Sequence, residues 1–242
     1  MSDRITPFLI AALAASPVCL AQVDLEFRVL SPLPDPGDTV QVGLFVVGQP
    51  GAPTETVGAA EAIFTWETAH LQLLGVDSSN PANLIFSGFP TLGSSGLNEA
   101  SPPADGDGLF VALGPLGTPI LADEAGTLLA ILNFEALFAT PGSPVELLAS
   151  AGSPLRDTVV FDGTTPNTIV TGDLSGTSVA IRCGPFDLAQ PFGVLDLADV
   201  NVFVTAFLNQ DLFGDQNDDG IFDLTDINLF VDGFVAGCPT PP

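Results

Sequence analysis

Oxygen-bearing side chains cluster in one short segment near the end of the chain, DQNDDGIFDLTD, residues 215–226. Calcium takes about six to eight oxygen ligands, and a twelve-residue loop supplies them from positions 1, 3, 5, 7, 9 and 12. These positions hold Asp215, Asn217, Asp219, the backbone carbonyl of Ile221, Asp223 and Asp226. Gly220 stands at position 6, where the chain must turn sharply. The spacing predicts a calcium loop, and the alternative is a solvated acidic turn, which would need no such register.

The loop is followed by a helical pattern that occurs twice. Residues 193–207 and 220–234, at an offset of 27, are identical at eight of fifteen positions. A short repeat predicts one helical unit used twice, each copy burying its apolar stripe against the other. The stripes consist of Leu197, Val200, Phe203, Val204 and Phe207 in the first copy and Leu224, Ile227, Phe230, Val231 and Phe234 in the second.

The first repeat lacks most of the metal ligands. Positions 6, 9 and 12 hold Gly193, Asp196 and Asp199, but positions 1, 3 and 5 hold Leu188, Gln190 and Phe192. Asp187 falls one residue too early for position 1. We therefore expect this loop, residues 187–199, to be free of metal or weakly occupied, and to be held by packing of Pro191 and Phe192.

The repeated segment departs from the usual calcium-binding helix–loop–helix motif, whose loop ends in Glu. A duplicated loop followed by one helix, with Asp at position 12, resembles the dockerin module, an EF-hand-type unit that binds cohesin domains. The resemblance covers residues 183–242 and is strongest in the second repeat. It implies partner contacts from loop positions 10 and 11, which are Leu224 and Thr225 in the second repeat and Leu197 and Ala198 in the first. Core packing is the alternative for both leucines, so Ala198 and Thr225 are the better contact candidates.

The preceding part of the chain, about residues 22–181, alternates like β-strands. VDLEFRVL places apolar residues on one face and charged residues on the other. About nine such runs, separated by turn-rich loops, predict a two-sheet β-sandwich. The segments DPGDTVQVGLFV, AIFTWETAHLQLLGVDSS and EAGTLLAILNFEAL resemble the cohesin-like domains, which are nine-stranded jelly-roll sandwiches related to some carbohydrate-binding modules. The expected fold is thus mainly β, with a small α-helical C-terminal module.

Composition limits the partners and the compartment. The formal net charge is −25, from 29 acidic residues against four arginines and no lysine, which disfavours nucleic acids and membrane surfaces. Residues 1–21 have the pattern of an export peptide cleaved after Ala21, with lipidation at Cys19 as the alternative. A secreted, extracellular protein is expected, with attachment to the cell surface left open. Cys183 and Cys238 would then pair and clasp the module, and two free thiols are the alternative.

Residues suited to catalysis are sparse. His70 is the single histidine, no nucleophile motif accompanies it, and too few His and Cys remain for zinc. A glycosidase would need a pair of catalytic carboxylates, and the candidates are Glu61, Glu67, Glu99 and Glu135. Positions on solvated strand faces explain these glutamates equally well. The segment ADGDG, residues 104–108, is expected to form a turn, with a second calcium site as the alternative.

These observations predict a secreted, non-catalytic, two-module protein that assembles through calcium. The resemblance implies a cohesin-like domain as partner, either of another protein or of another copy of this chain, and connects such modules with extracellular polysaccharide breakdown. One alternative is a carbohydrate-binding protein in which the sandwich binds polysaccharide, with Trp66 as the candidate stacking residue. A glycoside hydrolase is the second alternative.

Overall fold

The computed structural model describes residues 22–51, 54–77, 84–91, 95–115, 117–164 and 168–239. The expected export peptide, with Cys19 and the cleavage site after Ala21, lies outside these residues. Within the described ranges, no helix has the length and apolar character needed to cross a membrane.

The described chain forms strands first and helices last. The strands are β1 Val23–Val29, β2 Thr39–Gly48, β3 Glu55–Val57, β4 Ala59–Trp66, β5 Leu71–Asp77, β6 Phe86–Gly88, β7 Asp107–Leu113, β8 Ile120–Ala122, β9 Thr127–Ala136, β10 Thr140–Leu148, β11 Ser150–Ala151, β12 Arg156–Asp157, β13 Val159–Phe161, β14 Thr171–Ser175 and β15 Thr177–Ile181. The helices are α1 Leu197–Asn209 and α2 Leu224–Ala236, with a 3-10 turn at Leu212–Gly214 between them.

Two large sheets make up the sandwich. One has the strand order β14-β1-β2-β9-β5 and the other β15-β10-β4-β7-β6, with β13 also paired to β4. β14 runs parallel to β1, and the remaining pairs in these two sheets are antiparallel. The prediction of a mainly β sandwich is confirmed. The expected count of nine strands is too low, because eleven strands of the described chain belong to these sheets.

One apolar core lies between the two sheets. The alternating burial predicted for VDLEFRVL is confirmed, because Val23, Leu25 and Phe27 of β1 are all buried. Trp66 is also buried, with its ring 5.6 Å from Phe64 and edge-on to Phe134 across the core. Trp66 therefore stabilises the sandwich and offers no surface on which a sugar could stack.

The C-terminal module follows the last strand without a linker. The backbone N–H of Arg182 donates to Pro34 O over 2.9 Å, and the Arg182 guanidinium pairs with Asp35 at 2.6 Å. Cys183 and Cys238 form a disulfide, with their Cα atoms 4.7 Å apart. The expected pairing of the two cysteines is therefore present, and it joins the two ends of the module.

The two helices contact each other through only part of their apolar stripes. Phe203 of α1 and Phe230 of α2 are buried against one another. Leu197, Val204, Leu224 and Val231, which the helical periodicity assigned to the core, are 46–77% exposed. The stripe prediction is wrong for these four residues, because two short helices can bury only the narrow faces that meet. Core packing is excluded for Leu197 and Leu224, which face solvent.

Candidate metal centre

The first and last predicted ligands of the second loop, Asp215 and Asp226, are connected through the backbone in the structure. The backbone N–H of Gln216 donates to Asp226 Oδ1 over 2.8 Å, which closes the loop on itself. Asp226 is fully buried and Asp215 is 9% exposed. The backbone thus brings Asp226 to the residue that follows Asp215, which closes the loop as a cation-binding loop requires.

Asp226 also takes part in capping α2, the helix that follows the loop, as its third residue. Its Oδ2 accepts the N–H of Asp223, while the Asp223 side chain caps the first turn of α2 by accepting the N–H of Thr225. Backbone N–H groups of Asp223 and of Gln216 outweigh burial and hold the pKa of Asp226 below its usual value. Asp226 therefore remains an ionised carboxylate at neutral pH.

Glycine at position 6 fulfils its predicted role. Gly220 has a φ of +76°, a left-handed conformation that favours glycine, and its N–H donates to Asp215 Oδ2 over 2.7 Å. The remaining side chains of the loop are turned toward neighbouring N–H groups. Asn217 Nδ2 donates to Asp219 Oδ2, and Asp219 Oδ1 accepts the N–H of Ile221. The loop backbone is therefore ordered by its own aspartates.

The donor set fits a hard cation in its chemistry, because every predicted ligand is an oxygen and none is sulfur or imidazole. As the side chains stand, however, no group of three or more His, Cys, Asp or Glu residues in the described ranges is arranged to hold a metal. Binding would require Asn217 and Asp219 to exchange their mutual hydrogen bond for the ion. Both are exposed, so this rearrangement needs no repacking.

The first loop reproduces the hydrogen bonds of the second, with one change in register. The N–H of Gly193 donates to Asp187 Oδ2 over 2.5 Å, as the N–H of Gly220 donates to Asp215. Asp187 therefore occupies the place of Asp215, and the assignment of that place to Leu188 is corrected. The reason is a one-residue insertion between Asp187 and Gly193, which a comparison at a fixed offset of 27 cannot detect.

Asp199 closes the first loop as Asp226 closes the second. Asp199 Oδ1 accepts the N–H groups of Leu188 and Ala189, and its Oδ2 accepts the N–H of Asp196, the N-cap of α1. These bonds involve no metal. They give the first loop a defined structure through backbone capping. The expected packing of Pro191 is not found, because Pro191 is exposed, and Phe192 is half-buried.

Asp187 is a buried carboxylate with one unpartnered oxygen. It is fully buried and accepts the N–H groups of Cys183 and Gly193 through Oδ2, whereas Oδ1 has no hydrogen-bond partner among the described residues. Burial raises the pKa of Asp187 above its usual value, the two N–H groups oppose the rise, and the nearby charge of Asp199 adds to it.

The first loop also contacts the sandwich. Gly193 has a φ of +82°, and an added Cβ there would overlap the backbone of Thr140 and Pro141 at the start of β10. At Gly220, the matching position of the second loop, an added Cβ would meet nothing within 4 Å. The two repeats are therefore used differently, because the first loop is packed on the sandwich and this face of the second is open.

The predicted partner residues lie on open faces of the two helices. Leu224 and Thr225 are exposed at the start of α2, and Ala198 is half-buried at the start of α1. Leu224 belongs to a row of exposed apolar residues along α2, the α2 stripe, which comprises Leu224, Val231 and Val235. The matching residues of α1 are Leu197, Val204 and Leu208, each 27 positions earlier and also exposed. In the sequence these exposed residues recur at spacings of seven and four. That spacing alone does not separate them from the core, because the burial of the phenylalanines must also be known.

The other residues considered for chemistry are scattered over the sandwich. His70 lies beside the turn before β5, with Nδ1 3.1 Å from Phe138 O. Glu61 pairs with Arg156 at 2.6 Å on the second sheet. In the ADGDG segment, Asp107 is the first residue of β7, and burial together with the charges of Asp105 and Glu99 raises its pKa. Asp107, Asp105 and Glu99 therefore lie near one another, whereas His70 contacts Phe138 and Glu61 pairs with Arg156.

Comparison with known proteins gives likeness in structure alone. Neither a family model nor a curated protein matches the chain. A cohesin module from the family 33 glycoside hydrolase of Clostridium perfringens is similar over 66% of this chain and 97% of its own length, with 18% identity and a TM-score of 0.46. The sixth cohesin of Acetivibrio cellulolyticus scaffoldin B, solved with a Cel5 dockerin, covers 67% and 99%, with 15% identity and a TM-score of 0.45.

A type II cohesin domain from the cellulosome of Acetivibrio cellulolyticus covers 66% of this chain and 95% of that domain, with 16% identity and a TM-score of 0.42. A likeness at this level says nothing about what the chain binds. The function has to be argued from the residues of the chain itself.

Proposed function

We propose that this chain is a secreted, non-catalytic assembly protein whose dockerin-like C-terminal module, about residues 183–242, binds calcium and then a partner protein. The sandwich, about residues 22–181, carries the module. The observation that carries the proposal is the second loop: an oxygen-only ligand series in the register of a twelve-residue calcium loop, closed by the hydrogen bond from the N–H of Gln216 to Asp226.

The residues proposed to hold calcium are Asp215, Asn217, Asp219, the carbonyl of Ile221, Asp223 and Asp226. The ion would supply positive charge to a loop with five aspartates in twelve residues and no neighbouring basic side chain in its own module. Asp226 and Asp223 connect that charge to α2, because both cap its first turn. An ordered loop would thus fix the start of the helix that presents Leu224 and Thr225.

The partner face is proposed to be the α2 stripe together with Thr225. Exposed apolar side chains in a continuous row are a mark of an interaction surface, whereas single exposed ones need no explanation. Helix α2 presents three exposed apolar side chains near one line, with Asn228 between Leu224 and Val231. They follow directly after the calcium loop, so metal binding and partner binding would act on the same segment.

Binding of polysaccharide by the sandwich has less support, because Trp66 is part of the core and is covered on both sides. A hydrolase is also disfavoured, since Glu61 is engaged in an ion pair with Arg156 and Nδ1 of His70 faces the carbonyl of Phe138. No specific feature of the described residues favours either alternative over assembly.

Calorimetric titration of the full chain with calcium tests the metal part of this proposal. We expect one saturable site that is filled at or below roughly millimolar calcium, the weak end for extracellular modules. Asp219→Ala should abolish it, and because Asp219 is exposed this variant should keep its fold. Asp187→Ala, in the matching place of the first loop, should leave one site.

Absence of saturable binding at millimolar calcium would overturn the metal assignment. A stoichiometry of two that falls to one in Asp187→Ala would show instead that the first loop also binds. The assembly part is tested by retention of proteins from the source secretome on immobilised full chain. Retention should occur in calcium, disappear with a chelator, and disappear in Leu224→Ser.

A further inference from the structure

The module that carries the α2 stripe is entirely acidic in its charged residues. Residues 183–242 contain ten aspartates and no lysine, arginine or histidine. Calcium in one loop would remove only two of these ten negative charges. Any partner of the stripe must therefore approach a surface that remains strongly negative, on which Asp232 and Asp223 are exposed on α2 and at its N-cap.

The sandwich of a second copy does not meet that requirement. Residues 22–182 hold eighteen acidic side chains against three arginines. Each arginine is already in an ion pair with an N–O distance of 2.6 Å: Arg28 with Glu26, Arg156 with Glu61, and Arg182 with Asp35. Arg28 also donates to Ala125 O and lies over the ring of Phe45. The positive charge of each arginine is therefore already offset by an acidic neighbour, and the sandwich as a whole remains negative.

The α2 stripe also requires an apolar surface on its partner. Leu224, Val231 and Val235 follow one another at intervals of seven and four residues, which places them within about 20° of one line along the helix. Thr225 and Asp232 flank this line on the same side, by the same helical geometry. The stripe is thus an apolar ridge with a carboxylate beside it, and it fits an apolar groove with a cation at its edge.

We propose that the α2 stripe binds a different protein, one with an apolar patch edged by lysine or arginine side chains, and not a second copy of this chain. This inference rests on the proposed function and names the chemistry of its partner. Like charges on two copies raise the free energy of their encounter, whereas opposite charges speed association, and both effects fall off over a Debye length of about 8 Å at physiological salt.

Two synthetic amphipathic peptides serve as probes of that chemistry. Both are roughly 18 residues long, enough to form a helix, with the same leucine positions but with lysine in one and glutamate in the other. Binding to the full chain is measured by fluorescence anisotropy in millimolar calcium and about 150 mM salt. The leucine–lysine peptide should bind and the leucine–glutamate peptide should not.

A double variant, Leu224→Ser with Val231→Ser, separates the stripe from general attraction by negative charge. Its formal charge is unchanged, and its fold should persist because both side chains are exposed; far-UV circular dichroism checks this. We expect its affinity for the leucine–lysine peptide to fall about tenfold or more, from the lost apolar burial. Equal affinity in the variant and the original chain would overturn the proposal, and so would binding of the leucine–glutamate peptide.

Sedimentation velocity of the full chain in calcium, at low and at physiological salt, tests whether a second copy of the chain binds the stripe. A monomer at both salt concentrations supports the proposal. A calcium-dependent dimer that Leu224→Ser abolishes overturns it. The proposed function can fail separately from this inference. Peptide binding that depends on the α2 stripe but not on calcium would refute calcium-dependent assembly and would still support the proposed partner chemistry.

Discussion

Phe203 and Phe230 stack face to face, with ring centroids 4.1 Å apart and planes within 2° of parallel. They are the same position of the two repeats, 27 residues apart. Each also contacts the phenylalanine one turn further along its own helix, Phe207 and Phe234 respectively. The repeat relates the two halves of the module through this pair of rings, which is the centre of its small core.

Replacing Phe230 with alanine should therefore destabilise the module more than any other single apolar truncation in it. A buried Phe→Ala change costs about 3–5 kcal/mol, because burial is lost and a cavity remains. Denaturant unfolding of the full chain, followed by the helical far-UV signal, measures the loss. Phe213→Ala is the matched control, since Phe213 is 57% exposed, and it should change stability by about 0.5 kcal/mol or less. Equal effects of the two variants would contradict the assignment of the core.

Gly193 and Gly220 offer a matched test of the contact between the module and the sandwich. Both have positive φ, so alanine at either position pays a similar backbone penalty, about 1 kcal/mol or more. Only at Gly193 would the added Cβ also overlap Thr140 and Pro141. In a chelator, Gly193→Ala should lower the melting temperature of the module clearly more than Gly220→Ala. Similar losses would mean that the first loop does not pack on the sandwich in solution.

The pH dependence of stability should carry the signature of Asp187. Folding raises the pKa of this carboxyl, so the folded state holds the proton more tightly than the unfolded chain. Its contribution is then fully present below the unfolded pKa, about 3.9, and is lost as the pH rises through the folded pKa. Asp187→Asn removes this loss and keeps one oxygen to accept the N–H groups of Cys183 and Gly193.

The measurement is the melting temperature of the variant minus that of the original chain, in a chelator, across the acidic range up to neutral pH. The difference should rise with pH above about 4 and then become constant. Thr225→Ser, which alters an exposed side chain that does not titrate, should give a flat difference. A difference for Asp187→Asn that falls with pH would show that its pKa is lowered.

The sandwich was largely predictable from the sequence, because strands that bury one face reveal themselves by alternation. The segments VDLEFRVL, DPGDTVQVGLFV, AIFTWETAHLQLLGVDSS and EAGTLLAILNFEAL contain β1, β5 and β9 and most of β2 and β4. β14, TGDLS, was missed because it has no apolar alternation. Its pairing with the edge of β1 is made by backbone groups, which no side-chain pattern reports.

The candidate site was predictable in its spacing and less so in its surroundings. The register of Asp215 to Asp226 follows from residue types alone. The place of Asp187 does not, because an inserted residue is invisible until the N–H of Gly193 is seen to bond to it. Likewise, periodicity cannot distinguish a stripe that packs on a neighbouring helix from one that faces solvent, and Leu224 and Val231 belong to the second kind.

Reduction of the Cys183–Cys238 disulfide should unfold the module and leave the sandwich intact. The bridge spans 55 residues, and in the chain-entropy model a closed loop of this length contributes about 4 kcal/mol. So small a module has little stability to spare beyond that amount. Calcium at a hundredfold excess over its dissociation constant restores only about 2.7 kcal/mol. The helical far-UV signal should therefore fall on reduction and recover only in part when calcium is added.

The Cys183→Ser, Cys238→Ser double variant should behave like the reduced chain. A reduced chain that keeps its helical signal in a chelator would show that the two repeats, joined by the stacked phenylalanines, fold without the clasp.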